Sequence, residues 1–298
     1  MKAAIDIGSN TVRMLVGEIA GDQVTPQHYF RHVTRLGGGY DPVQGISGEA
    51  SARTLCALES FAQVLQVINP TGVRAVATEA VRRAVNAQQF TADVLMRTGL
   101  AVEIIDGEEE AALSSAGVLA GLNPRPSAAL VFDIGGGSTE FIMIKEGKRL
   151  WQKSYPLGVI SLAEAIDARQ NIGGTLTNLA EDLRIAGLAP LLAGESCELV
   201  GTAGTVTTLA ALDLAMTEYD WQRINNHILP QATLHTLYER LLPLTPTDRE
   251  LLLGVEKGRG DLIVHGTAIV LALLRLLGKD QLRVSDFGLL EGVLLSMR

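Results

Sequence analysis

Two stretches of the chain repeat one pattern of apolar and polar positions. Residues 3–19 read AAIDIGSNTVRMLVGEI and residues 129–145 read ALVFDIGGGSTEFIMIK. Each is a short apolar run, an Asp-Ile-Gly step, a few small polar residues and a second apolar run. Two apolar runs joined by a Gly, Ser and Asn turn predict a β-hairpin. The chain therefore reads as a duplication, with a hairpin opening each half. After the first hairpin, short β-type runs at Val73–Ala77 and Val102–Ile105 alternate with helical patterns at Ser51–Val67, Glu79–Thr98 and Glu108–Ala120. After the second, the run Glu198–Val200 opens on Gly201, and a helix follows over Val206–Ala215. Helical spacing or length then covers Leu234–Leu242, Asp248–Lys257, Leu262–Leu277 and Phe287–Met297, with a short strand or turn at Val284–Ser285. Strands alternating with helices predict α/β layers. Asn123-Pro124-Arg125-Pro126 interrupts both periods, which places a domain boundary in Gly121–Ser127.

Composition narrows the classes. At 298 residues, with 47% hydrophobic and 19% charged positions, the chain suits two domains with large cores and not a disordered polymer. A net charge of -8 excludes a broad basic face for nucleic acid, although a local cluster can still hold a small polyanion. Aromatic residues at 4% leave little for base stacking. Cys56 and Cys197 cannot build a disulfide framework, so a reducing, cytoplasmic compartment is expected. Asp6 interrupts what would be the apolar core of a signal peptide. Leu262–Leu277 is broken by His265, Gly266, Thr267 and Arg275 and is short of the roughly 20 residues of a membrane span, so it reads as a buried helix. None of the five histidines has zinc-ligand spacing.

The loop from Asp133 to Glu140 carries the most chemistry. Gly135, Gly136 and Gly137 let the backbone approach a phosphate and aim N–H groups at it, with Ser138 and Thr139 as hydroxyl donors. Asp133 and Glu140 are hard oxygen ligands of the kind Mg²⁺ prefers. A tight turn alone would also require glycine. The first hairpin, with Asp6, Ser9, Asn10 and Thr11, offers the same chemistry with fewer glycines. In the 201–205 loop, Gly204 and Thr205 stand where a helix N-terminus suits an anion, and where a Thr cap would look the same. The acidic run Asp106-Gly107-Glu108-Glu109-Glu110 opens a helix, where acids favour the dipole. One of these acids could act as a base toward water, but spacing does not select which. Arg31, His32 and Arg35 lie near Gly37–Gly39, and Arg82 and Arg83 follow Glu79. Arginine suits phosphate oxygens, and a solvated surface position is the commoner fate.

These residues together resemble the exopolyphosphatase / guanosine pentaphosphate phosphatase (Ppx/GppA) family, in a short form without a C-terminal HD-type domain. The likeness rests on AAIDIGSNTVRMLV, TRLGGG at 34–39, AVATEAVRRAVN at 75–86 and EIIDGEEEA at 103–111. It continues through VFDIGGGSTEF at 131–141, GTAGTVTTLAAL at 201–212, GRGDLIVHGTAIV at 258–270 and VSDFGLLEGVL at 284–294. The resemblance implies two ribonuclease-H-like domains of the actin-like, sugar kinase and acetate kinase superfamily, with the active site in the cleft between them. On this reading residues 1–123 form the first domain and 124–298 the second, with the last helix (286–298) a candidate to join the first. It further implies Glu110 as the catalytic base and Asp133, Glu140 and Asp6 at a divalent metal, Mg²⁺ or Mn²⁺. The phosphate groups it implies are Ser9, Asn10, Thr11, Arg82, Gly135, Gly136, Gly137, Ser138, Gly204 and Thr205. Ala112 stands where the family usually has Arg, and His265 where a small residue is common. The implied activity is release of terminal phosphate from inorganic polyphosphate, or removal of the 5′-terminal phosphate of pppGpp. An actin-like ATPase and a polyphosphate or alarmone sensor are the other classes open. No nucleic-acid polymer or membrane partner is expected, and a homodimer is open.

Overall fold

The computed structural model describes residues 1–163, 168–194, 196–255 and 257–298. These gather into two compact units, one of Met1–Ala120 with Gly288–Arg298, the other of Gly121–Phe287. No helix among the described residues is long and apolar enough to cross a membrane.

The first unit runs β1 (Lys2–Ile7), β2 (Thr11–Ala20), β3 (Gln23–Val33), α1 (Gly48–Ile68), β4 (Val73–Ala77), α2 (Glu79–Arg82), α3 (Ala87–Thr98), β5 (Val102–Ile104) and α4 (Gly107–Gly121). Its sheet has the order β3-β2-β1-β4-β5, with β1–β2 and β2–β3 antiparallel and β1–β4 and β4–β5 parallel. Ile5, Ile7, Val12, Met14, Leu58 and Phe61 pack its core. The second unit runs β6 (Ala128–Ile134), β7 (Thr139–Lys145), β8 (Lys148–Tyr155), α5 (Val159–Ala163), α6 (Ala168–Ile185), α7 (Ala189–Ala193), β9 (Cys197–Thr202) and α8 (Ala203–Asp213). It continues with α9 (Trp221–Ile224), β10 (Ile228–Pro230), α10 (Gln231–Leu241), α11 (Pro246–Glu250), α12 (Ile263–Leu277) and β11 (Gln281–Val284), and α13 (Leu289–Leu295) then returns to the first unit. The order β10-β11-β9-β6-β7-β8 is the same plan with one added edge strand. Both sheets have the ribonuclease-H-like arrangement, so the repeat read from the hairpins extends through each half.

α13 lies on β1 and β2 and against α4. Glycines make that approach: a Cβ on Gly117 would fall 1.8 Å from the Gly288 carbonyl oxygen, and one on Gly292 would fall 1.8 Å from that of Leu113.

Two expected helices are shorter than their patterns. The run 79–98 breaks into α2 and α3 because tertiary hydrogen bonds capture the residues between them. Tyr40 donates to the Arg83 carbonyl at 2.9 Å, and the Asn86 amide exchanges bonds of 2.9 Å with the backbone of Ile46. The run 248–257 yields only α11, and its Glu256 lies outside the described residues. Gly254 takes φ 94° and packs on the Ala211–Leu212 backbone, a conformation that a helix cannot include.

Candidate active site

In sheets built around parallel strands, ligands gather outside the carboxyl ends of those strands. In the first unit β1 leads into the Gly8–Asn10 turn, β4 into Arg82 and β5 into Glu110, so three sequence candidates share one sheet edge. In the second unit β6 leads into Gly135–Ser138 and β9 into Gly204 and Thr205.

The two hairpin turns are built alike. The Gly8 N–H donates to the Thr11 carbonyl at 3.0 Å, and the Gly135 N–H to that of Ser138 at 2.9 Å. Each turn is braced by the segment after its third strand. The Gly37 N–H donates to Ser9 O at 2.8 Å, and the N–H groups of Thr34 and Arg35 donate to Asn10 O. In the second unit Val159 N–H reaches Gly135 O at 3.0 Å, and Ile160 and Ser161 share Gly136 O. These bonds occupy turn carbonyls. The N–H groups of Gly136, Gly137 and Ser138 have no backbone partner among the described residues and form a concave set of anion donors. Ser9 and Asn10 are exposed at the first turn.

Gly158 makes the second brace sterically feasible. A Cβ there would lie 2.2 Å from Gly136 O, 2.3 Å from Gly136 C and 2.4 Å from Gly137 N, all backbone atoms. Gly158→Ala is expected to cost about 1–3 kcal/mol, the range of overpacking against rigid neighbours. A urea midpoint and slope unchanged from the parent would contradict that close approach.

The turns differ in charge at one register position. Asp6 pairs across the strands with Arg13, whereas Asp133 pairs with Glu140. Arg13 Nη2 lies 2.5 Å and Nε 3.0 Å from Asp6 Oδ2, so Asp6 carries its own counter-ion. Its other oxygen, Oδ1, is buried with no hydrogen-bond partner. Glu140 Oε1 accepts from Ser138 Oγ at 2.6 Å and from Ser154 Oγ at 2.7 Å. That pins the carboxylate and aligns it with Asp133 on one face of the hairpin. The Ser138 proton is thereby committed to Glu140, and its backbone N–H is the donor left for phosphate. Among the described residues, no three His, Cys, Asp or Glu side chains cluster as a ready-made metal cage. Mg²⁺ does not need one, because it usually keeps waters and uses one or two carboxylates with substrate oxygens. The paired acids Asp133 and Glu140 fit that habit, and the bare Asp6 Oδ1 suits a cation or its water.

The acidic run separates once folded. Asp106 Oδ1 caps α4, accepting from Glu108 N at 2.9 Å and Glu109 N at 2.8 Å. Glu109 is held by Arg74 at 2.7 Å, and the same guanidinium holds Glu103. Glu110 meets Arg82, with Nη1 3.1 Å from Oε2, and both side chains are about one-third exposed, at 30% and 31%. Arg82 Nη1 also donates to Ile105 O at 2.8 Å.

The 201–205 loop is more crowded than its motif suggests. Thr205 is buried against α12, where a Cβ on Gly266 would lie 2.4 Å from Thr205 Cγ2. A Cβ on Gly204 would fall 1.8 Å from Arg259 Nη1, so this guanidinium covers the glycine directly. The structure adds Arg13, Ser154, Gly158 and Arg259 to the residues that the sequence points to. Arg259 and Arg13 lie within the quoted motifs, whereas Ser154 and Gly158 carry no local signal. His265, on the first turn of α12, is shifted toward its neutral form by burial and by Arg249, with Asp261 opposing.

Residues 16–298 match the model of the Ppx/GppA phosphatase family. The chain is 37% identical over 314 residues to exopolyphosphatase 2 of Mycobacterium tuberculosis strain H37Rv, covering 99% of this chain and 98% of that protein. The crystal structure of the Aquifex aeolicus Ppx/GppA phosphatase superposes with a TM-score of 0.81 at 30% identity, covering 99% and 98% of the two chains. An exopolyphosphatase from Cytophaga hutchinsonii superposes with a TM-score of 0.84 at 26% identity, covering 99% and 97%.

Proposed function

The chain belongs to the Ppx/GppA phosphatase family and is a phosphoanhydride hydrolase, and from that premise we propose that it releases terminal orthophosphate from inorganic polyphosphate by attack of a water that Glu110 deprotonates. The observation that carries the reading is the Glu110–Arg82 contact of 3.1 Å at the carboxyl edge of the first sheet. It puts a proton acceptor beside a cation suited to phosphate oxygens.

Each group has a role that its geometry suits. Arg82 takes a phosphate oxygen of the chain end. The Gly136, Gly137 and Ser138 N–H groups, the first-turn N–H groups of α8, the exposed Ser9 and Asn10 and the half-buried Thr11 of the first turn supply neutral donors. Neutral amides let a chain of net charge -8 hold a polyanion without a basic surface. Asp133 and Glu140 would hold the divalent cation. When bound, Mg²⁺ supplies neutralisation of charge on the reacting phosphoryl group. Glu110 accepts the proton of the attacking water, whose oxygen forms the new P–O bond as the bridging P–O bond breaks, so no covalent enzyme intermediate is needed. Positioning and electrostatics provide most of the acceleration in this chemistry.

The test is phosphate release from long-chain polyphosphate and from pppGpp, measured side by side with Mg²⁺. The expected result is a higher kcat/KM on polyphosphate. A preference for pppGpp would reassign the substrate while keeping the chemistry, and no release from either would overturn the proposal.

A further inference from the structure

Arg82 uses one nitrogen for both of its protein contacts. Nη1 is 3.1 Å from Glu110 Oε2 and 2.8 Å from the carbonyl oxygen of Ile105. That carbonyl is fixed, because Ile105 is 2% exposed and its N–H donates to Ala77 O at 3.2 Å. The backbone beneath Arg82 is fixed as well, with its N–H on Thr78 O at 3.0 Å. Nε and Nη2 have no hydrogen-bond partner among the described residues. The Arg82 side chain is about one-third exposed. Nε and Nη2 form one edge of the planar guanidinium, the edge that matches two oxygens of a phosphate.

We infer that Arg82 is the positioning residue for Glu110, holding the base through Nη1 while its Nε/Nη2 edge binds the terminal phosphate. The inference rests on the reading of Glu110 as the base. A rigid planar group that touches both partners sets the spacing between the proton acceptor and the phosphorus atom. Both side chains are partly exposed, and the shared Nη1 contact ties one to the other. Fixing the attack geometry is where large effective molarities come from. Lysine cannot substitute for this double contact. Its ammonium is a point charge on a flexible stem and can neutralise phosphate without spanning to the carboxylate.

The test is steady-state kinetics of the full-length enzyme on polyphosphate with saturating Mg²⁺, for R82K, R82A, E110Q and R82A/E110Q. R82K is expected to keep KM within about threefold while kcat falls about 10- to 100-fold, the signature of lost transition-state positioning. In the Glu110→Gln background, removal of Arg82 should still weaken substrate binding but change residual kcat by less than about twofold, because residues acting as a unit are not additive. Normal kcat in R82K, or a full R82A penalty on kcat in the Glu110→Gln background, would overturn the inference. Near-normal turnover of E110Q is a separate outcome, and it removes the base assignment itself. Should R82A fail to fold without its bond to Ile105, the R82K split between KM and kcat decides the matter.

Discussion

Glu110→Gln is expected to lower kcat on polyphosphate by about 10² to 10⁴, the range for loss of a general base. The substitution is nearly isosteric, and the Gln carbonyl can still accept from Arg82 Nη1. The fold and the phosphate donors should therefore persist, and substrate affinity should stay within a few-fold of the parent. Glu109→Gln is the control. Glu109 is bound by Arg74 at 2.7 Å, away from Arg82, and a loss as large as that at Glu110 would mean the acidic run acts collectively. A folded Glu110→Gln protein that turns over near the normal rate ends the assignment.

Asp133→Asn should move the Mg²⁺ concentration for half-maximal activity upward by at least about tenfold, since it removes one of two carboxylates from a site that binds Mg²⁺ through very few. Asn keeps the shape and one carbonyl oxygen, which confines the change to charge. The matching substitution Asp6→Asn is expected to shift that titration much less. Asp6 already faces the Arg13 guanidinium at 2.5 Å, whereas Asp133 stands opposite Glu140. Asp6→Asn weakens the partly buried Asp6–Arg13 ion pair, so the effect there should fall on stability. An unchanged Mg²⁺ titration in Asp133→Asn, or an equal shift in both variants, would contradict the placement of the cation at the second hairpin.

The hairpins and their acids were legible because their signals are local. A turn that packs Gly, Ser and Asn between apolar runs has few backbone solutions, and the duplicated Asp-Ile-Gly step gave both turns at once. The helix break at Arg83–Asn86 was not legible, because the apolar period runs on through it and the bonds that end the helix come from Tyr40 and Ile46. The helix α5 is not legible for a similar reason, because five residues have little pattern of their own, and Gly158 matters only where the chain meets Gly136.

The sequence by itself determined the duplicated α/β plan, the two glycine turns, the acids and arginine available for phosphate chemistry and the family. Periodicity, turn chemistry and motif spacing all act over a few neighbouring residues and can be read in one dimension. Only the tertiary structure decided which acid of the run meets Arg82, that Asp6 is paired with Arg13 and Asp133 with Glu140, and that Ser154 pins Glu140. It also decided that α13 docks on β1 and β2 and closes on α4 through Gly292 and Gly117. Each depends on side chains or backbones brought together from distant positions by strand register and helix packing, and no local pattern encodes which partner arrives.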